Sequence, residues 1–493
     1  LETTVKKVEI PKESRYRRAK TWQIGAFALN NSATNIFLYL MMFVSYYATG
    51  VVGLGTVIVS TLITMSRIWD GVTDPIIGLW IDKTDGKFGK FRPFMILGWV
   101  VMTIITLLMF FTTHLVPQNL RLIYFILLYL VYIVGYTFQT ACTKAGQTVL
   151  TNDPQQRPLF STFDMSYTSL LFAGAAVYVS NYMVPKHGGF TESFFHEFVI
   201  TVVIIAGIMT ALAVIGLWEK DRTENFGTGG VQQQIKLKDM FNIIKGNRPL
   251  QMLIVAASTD KLAATVSSNS IVMVMLFGIV IGDFGVFGSI SAITMIPVLI
   301  LIQIGTRYAR KFGSKKALVV STWMCIALYT AMFLLLWLGD PTQIRMTDMN
   351  AMSIAFISLY ILATGVRNVS GGIVIPMIPD ITDYEVYKND LYAPGVMGTI
   401  FSFVDKMISS LGQTVIGILL AYIGFKEVFP SVDTPPSTAI FWVTMFLFVG
   451  MMILGWVASL IAMKFYELDD KRMAEIQTEL ADRRDAKKAA AEQ

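Results

Sequence analysis

The segment RIWDGVTDP (67–75) places Arg67, Asp70 and Asp74 at i, i+3 and i+7, so on a helix all three project from one face. Thr73 adds a hydroxyl beside them, and Pro75 takes away the donor that the Gly71 carbonyl would otherwise meet. Two carboxylates one turn apart, with hydroxyl and carbonyl oxygens nearby, form a hard-oxygen cluster suited to a small cation. The same pair could share a proton, because two like charges this close do not both persist. A static ion-pair network that only pins helices together would use the same residue types. The medium around the helix bears on which reading applies.

That medium is lipid. Of 493 residues, 54% are hydrophobic and only 15% charged, against about 45–50% and about 25% in soluble domains. A spanning helix needs about 20 mostly apolar residues. Twelve such stretches run through the chain, at 22–48, 53–80, 93–115, 119–146, 159–183, 195–218, 250–277, 284–306, 317–338, 351–378, 395–424 and 438–465. The expected fold class is an all-α, polytopic membrane protein with twelve transmembrane helices in two six-helix bundles.

Once the spans are drawn, 31 of the 40 Lys and Arg residues fall on one side, and only Arg121, Lys186, Arg345 and Lys426 on the other. The positive-inside rule makes the rich side cytoplasmic, with both termini inside a plasma (inner) membrane. Because the cations are spread over short loops and tails, nucleic acid is not an expected partner. Residues 1–21 are polar and basic and read as a cytoplasmic tail rather than a signal peptide. Cys142 and Cys325 lie in apolar stretches, and His114, His187 and His196 in or beside short polar connections. Histidine- or cysteine-based catalysis has little to work with, so neither an enzyme nor a cofactor is expected, and a monomer is the expected working unit.

The only long polar segment inside the chain, 219–248, divides six spans from six. The expected division is a tail 1–21, a bundle 22–218, a linker 219–248, a bundle 249–466 and a charged tail 467–493. The last reads as a solvated helix or a disordered end. Two connections look alike. GLWIDKTDGKFGKFRP (78–93) follows the second span and GTRYARKFGSKKAL (305–318) the eighth, each with a Lys-Phe-Gly element before the next helix. Such weak similarity between halves is typical of parallel repeats in transporters, although ordinary loop composition can imitate it.

Ten charges remain inside or beside the spans: Arg67, Lys144, Lys261, Arg367 and Lys406 against Asp70, Asp74, Asp164, Asp260 and Asp405. Each costs about 2.5–3.5 kcal/mol near the bilayer centre on insertion scales, so they must line a polar interior. Lys406 is a natural counter-ion for Asp70 and Asp74. Lys144 and Asp164, on neighbouring helices, could pair with each other or touch a solute. Neutral groups gather on the first span (Asn30, Asn31, Ser32, Thr34, Asn35) and the fourth (Tyr136, Thr137, Gln139, Thr140, Thr143). They suit a polyhydroxylated solute and equally suit interhelical hydrogen bonding.

RIWDGVTDPIIGLWIDKTDGKFGKFRP (67–93) resembles the signature of the glycoside–pentoside–hexuronide:cation symporters, the melibiose-permease-like branch of the major facilitator superfamily. VVGL (51–54), NDPQQRP (152–158) and PDITDYEVYK (379–388) are further blocks of likeness, and Lys406 follows the last at the family spacing. The resemblance implies two bundles, alternating access and symport of a sugar, glycoside or oligosaccharide with sodium or a proton. It implies a cation site at Asp70, Asp74, Thr73 and Thr137, with Arg67 and Lys406 in the coupling network. Tyr136 matches a sugar-pocket position. Other pocket positions depart from the family pattern, with Asn31 and Asn35 in the stretch that should carry an aspartate, and Thr140, Lys144, Met165 (beside Asp164) and Gly371 at the rest. A different or larger glycoside, such as one with a charged group near Lys144, fits these departures better than an ordinary galactoside. The rival expectation on this scaffold is a carrier for an amphiphile such as a lysolipid.

Overall fold

The computed structural model describes residues 18–84, 86, 88–151, 157–222, 245–374, 377–389 and 394–491. The long helices are α1 (Thr21–Met41), α2 (Thr56–Lys83), α3 (Arg92–Thr112), α4 (Gln118–Leu150), α5 (Arg157–Val177), α6 (Glu192–Leu217) and α7 (Arg248–Ser267). They continue with α8 (Gly285–Phe312), α9 (Ser314–Leu338), α10 (Ala351–Ile373), α11 (Met377–Asn389), α12 (Pro394–Tyr422), α13 (Thr438–Lys464) and α14 (Asp470–Ala491). Among the described residues, eight helices are long and apolar enough to cross a membrane, or nine if the bent pair Arg248–Ser267 and Ser270–Val280 is one span. The more polar α2, α5 and α12 run beside them, which is consistent with twelve spans.

Polar residues at the helix starts satisfy N–H groups that have no partner within the helix. Asn247 accepts from Leu250 N at 2.9 Å, Asn350 from Ser353 N at 2.8 Å and Ser437 from Ile440 N at 3.3 Å. The start of α3 uses a more distant cap. Asp221, fully buried after α6, accepts from the backbone N–H groups of Lys90, Phe91 and Arg92 at 2.9–3.0 Å.

Packing follows one scheme twice. α1 packs on α4, α5 and α6, α3 on α4 and α6, and α2 on α4. In the second half α7 packs on α12 and α13, α9 on α10 and α13, and α8 on α10. Two seams join the resulting bundles, α2 against α12 and α5 against α8. The backbone repeats too. α1 passes into a π-helical stretch, Tyr47–Val51, that ends near Gly53 at φ 81°, and the second half has Val274–Val280 and Gly282 at φ 85°. The two Lys-Phe-Gly elements end in Gly89 and Gly313, both at φ 86°, a conformation that disfavours any side chain.

Calling the end of the molecule with Leu217 and Arg248 the linker end, the described hydrogen bonds between the halves lie towards the opposite, far end. Thr56 N and Oγ1 donate to the Lys426 carbonyl at 2.9 and 3.0 Å, and Tyr46 OH to the Pro430 carbonyl at 3.0 Å. Thr64 Oγ1 donates to the Ser410 carbonyl at 2.9 Å, Gln413 Nε2 to Ser45 Oγ at 3.0 Å, Asn181 Nδ2 to Ser289 Oγ at 3.1 Å, and Ser270 Oγ to the Met42 carbonyl. Rings fill the space between: Tyr46 stacks on Phe190 at 4.4 Å and meets Phe429 edge-on, while Phe190 meets Phe284. Glycines let the seams close, since a Cβ at Gly417 would strike Ser60 and one at Gly288 would strike Ser180. The far end is sealed.

The C-terminal tail is a helix with most of its described positions exposed, and it is docked rather than free. It forms α14, which packs on α11. Ile476 and Leu480 are buried with Met377 and Ile381, Gln477 Nε2 donates to Asp383 Oδ2 at 2.6 Å, and Arg483 donates to the Tyr387 carbonyl at 3.0 Å. Two apolar residues, Ile476 and Leu480, carry the docking, and composition alone hides that minority.

Candidate functional site

Asp70 and Thr73 on α2 are both buried, 6% exposed, and face α4. Thr137 Oγ1 donates to Asp70 Oδ1 at 3.3 Å and lies 3.4 Å from Thr73 Oγ1. A space of about 30 Å³ adjoins Asp70, bounded by Leu38, Met41, Ser66, Asp70, Tyr129, Tyr132, Ile133 and Tyr136. That is room for about one water or one bare ion. Asp74 stands one turn on and is half-buried. α2 runs unbroken through position 75, so both carboxylates share a rigid rod. The side chains of Arg67, Pro75, Asp405 and Lys406 lie outside the described residues, and the proposed counter-ion with them.

Several first-half polar groups bond to one another, while Asn30 Oδ1, Ser32 Oγ and Gln139 Oε1 are buried without a described hydrogen bond. Asn31 Nδ2 donates to Asp164 Oδ1 at 2.7 Å, and Asn35 Nδ2 to Thr168 Oγ1 at 3.1 Å, tying α1 to α5. Asp164 therefore takes its hydrogen bond from Asn31 and has no ion pair with Lys144 among the described residues. Lys144 is exposed on α4. Asn30 Nδ2 donates to Thr143 Oγ1 at 2.7 Å and to the Gln139 carbonyl at 3.1 Å, tying α1 to α4. Thr140 Oγ1 donates to the Thr137 carbonyl of its own helix at 3.2 Å. Tyr136 is half-buried at the small cavity.

Sequence reasoning gave no role to a second cavity, of about 400 Å³, inside the second bundle. Asp260, Lys261, Arg367, Asn368, Gly371 and Trp456 are among the residues that line it. Gly371 lines this cavity, with neighbours that differ from those at the first-half positions. Next to it the seventh span breaks. Arg248–Ser267 and Ser270–Val280 meet at 51°. Asn269 Oδ1 accepts from Ile271 N at 3.0 Å and so restarts the helix, while its Nδ2 donates to Gln413 Oε1 at 2.7 Å. Ser268, at the break, accepts from Arg367 Nη1 at 3.0 Å. Broken spans with freed polar groups commonly flank the sites of membrane carriers. The sequence signal was the charge of three residues in apolar spans, and their convergence was not readable.

The histidines lie at the far end. His114 and His196 stand 3.4 and 3.8 Å from Glu192, and His187 Nε2 is 2.9 Å from Glu197. Among the described residues no group of three or more His, Cys, Asp or Glu could hold a metal ion. Cys142 and Cys325 are free and buried.

Two bundles sealed at one end, with ionisable side chains and cavities in their interior, define a membrane transporter rather than an enzyme. Residues 24–470 match the family described as MFS/sugar transport protein, and the chain belongs to that family. It is 24% identical over 468 residues to the putative glycoside/cation symporter YagG of Escherichia coli (strain K12), covering 93% of this chain and 95% of that protein. It is also 24% identical over 449 residues to the isoprimeverose transporter of Lactiplantibacillus pentosus, covering 91% and 88%. The crystal structure of the nucleoside transporter NupG superposes with a TM-score of 0.61 at 12% identity, over 91% of this chain and 99% of that one, which speaks for the fold alone.

Proposed function

We propose that the chain is a secondary active transporter that couples entry of a sugar, glycoside or oligosaccharide to a cation by alternating access. The observation that carries this reading is the Thr137–Asp70 contact beside a cavity of ionic size. Asp70, Asp74, Thr73 and Thr137 hold the cation, and Arg67 and Lys406 form the network that it displaces. The solute then binds more tightly, and by linkage it tightens cation binding equally. Carboxylate and hydroxyl oxygens suit sodium, and the same carboxylates serve a proton. Dependence of uptake on sodium at fixed pH distinguishes the two. Asn31, Asn35, Tyr136, Thr140, Lys144, Asp164 and Gly371 are the proposed solute-side residues. The names of the two relatives, a glycoside/cation symporter and an isoprimeverose transporter, support a saccharide. A lysolipid is disfavoured by the charged lining of the larger cavity.

The linker end is proposed as cytoplasmic in a plasma membrane, with bundles 22–218 and 249–466, cytoplasmic segments 1–21, 219–248 and 467–493, and a monomer in lipid as the working unit. In that orientation the far-end seal makes this an inward-open state. An entering cation contributes about 2.3 kcal/mol per 100 mV of membrane potential. In proteoliposomes, Asp70→Asn and Asp74→Asn abolish uphill uptake while solute exchange partly survives. Undiminished accumulation in both variants refutes the cation assignment.

A further inference from the structure

The turn between α8 and α9, at the linker end, carries an unbalanced charge. The stretch 284–339 has no Asp or Glu, yet Arg307, Arg310, Lys311, Lys315 and Lys316 crowd into it. The matching turn of the first half is mixed, with Asp82 and Asp85 among Lys83, Lys87 and Lys90, and Arg92 lies 3.5 Å from buried Asp221. The repeat alone therefore does not call for so much positive charge. Lys315 is turned inward, where its Nζ donates to the Tyr466 carbonyl at 2.6 Å and holds the start of α9 on the end of α13. Arg307, Lys311 and Lys316 are exposed, and no ion pair to them is described.

The turn holds these three together. Gly313, at φ 86°, folds α9 back beside α8. The Phe312 ring, 37% exposed, has Lys311 Nζ at 5.1 Å and Lys316 Nζ at 5.3 Å from its centroid, and it rests against Tyr308 at 4.6 Å. Arg307 stands one turn before Lys311 on the same face. Like charges this close repel unless an anion joins them. The same face continues as an apolar wall. Ile293, Ile296, Ile300, Ile304, Arg307 and Lys311 recur at steps of three and four residues, and all are exposed. From Ile293 to Ile304 the helix rises about 16 Å, close to half of a hydrocarbon core of about 30 Å, which is one leaflet. On α9, Lys316 is followed on its own face by exposed Val320 and Trp323.

A dissolved anion would use the cations and leave the wall idle, whereas a lipid needs both. We propose that the α8–α9 turn is a binding site for an anionic phospholipid. Arg307, Lys311 and Lys316 receive its phosphate, Phe312 lies at the level of its glycerol, and the isoleucine face of α8 takes an acyl chain. Guanidinium and ammonium groups donate to phosphate oxygens, and basic pockets beside spanning helices suit such headgroups. The site depends on the membrane-spanning fold alone and stands whatever solute and ion the protein carries.

The test titrates the purified full chain in maltoside micelles with dioleoylphosphatidylglycerol, dioleoylphosphatidylcholine or the soluble headgroup glycerophosphoglycerol. The amount giving half-maximal thermal stabilisation is the readout. The anionic lipid is expected to act at a mole fraction about tenfold lower than the zwitterionic one, and the soluble headgroup to do little. Raising sodium chloride from about 0.1 M to about 1 M should erase most of that preference, because the Debye length falls from about 10 Å to about 3 Å. This arm uses the wild type and so does not depend on how any variant folds. Arg307→Gln, Lys311→Gln and Lys316→Gln combined should remove the preference. Lys83→Gln, Lys245→Gln and Lys464→Gln combined, which take the same charge from the same end of the molecule, should keep it. Equal response to the two lipids, a preference indifferent to salt, or equal loss in both triple variants overturns the site. So does stabilisation by the soluble headgroup as strong as that by the lipid.

Discussion

The two bundles share a backbone plan and enclose spaces of very different size. In the first, Asn30, Asn31, Asn35, Asp70 and Asp164 all meet partners on neighbouring helices, and the space left beside Asp70 is about 30 Å³. In the second, Asp260, Lys261 and Asn368 border about 400 Å³. Pre-paired groups around a small space favour recognition of an ion, because little has to reorganise. Polar groups around a large space leave hydrogen-bonding capacity for a solute. A repeat can thus place two jobs on two copies of one scaffold, separated by the size of the space each copy leaves.

The largest expected effect comes from breaking the first bundle's site. Asp70→Asn should lower the accumulation ratio in a cation gradient by about tenfold or more, down to equilibration, since coupling of typical strength amounts to 1–3 kcal/mol. Radiolabelled uptake in vesicles reads this directly. Next in size is a pair of stability measurements. Asn31→Ala strips Asp164 of its described donor and should destabilise the protein by about 1–3 kcal/mol. Asp260→Asn removes a buried carboxylate outside ion-pair distance of any described cation and should leave the melting temperature unchanged or raise it. Equal losses in the two variants would erase the contrast between the bundles.

A smaller effect is expected at the seams. Gly417→Val inserts side-chain atoms where a Cβ already meets Ser60, wedging α2 from α12. Labelling of a cysteine placed at Thr64, otherwise 7% exposed, should speed up by about threefold or more, a shift on the order of 1 kcal/mol. An unchanged rate would mean that the seam does not govern access. The smallest effect belongs to the tail. Ile476→Asp should release α14 from α11 and raise proteolysis within 470–491 severalfold, with transport unaltered. Loss of transport would show the tail to be part of the working machinery.

Much of the architecture was legible because lipid imposes a coarse rule that long apolar windows obey. The Asp70–Thr73–Asp74 group was legible too, since a helix fixes which of its residues share a face. The break at Ser267–Asn269 was not, because residues 250–277 remain apolar on average and three small polar residues barely lower that average. Nor was the Asn31–Asp164 bond, which depends on α1 lying against α5 across 133 residues of sequence. Asp260 stood out as a costly charge, but its burial at the larger cavity depends on where α9, α10 and α13 come to rest around it. The π-helical stretches at Tyr47–Val51 and Val274–Val280 depend on backbone hydrogen bonds, and side-chain pattern leaves little trace of them.

The far-end seal is built of hydroxyls, amides, main-chain carbonyls and aromatic rings, and no ion pair crosses it among the described residues. Such contacts are blind to dissolved salt, whereas a gate latched by opposite charges loosens as the Debye length shrinks. The balance between the two access states should therefore hold steady from dilute buffer to brine. A carrier built this way can work across osmotic extremes without recalibrating its gate, and any salt sensitivity in its transport would then report on the coupling ion itself.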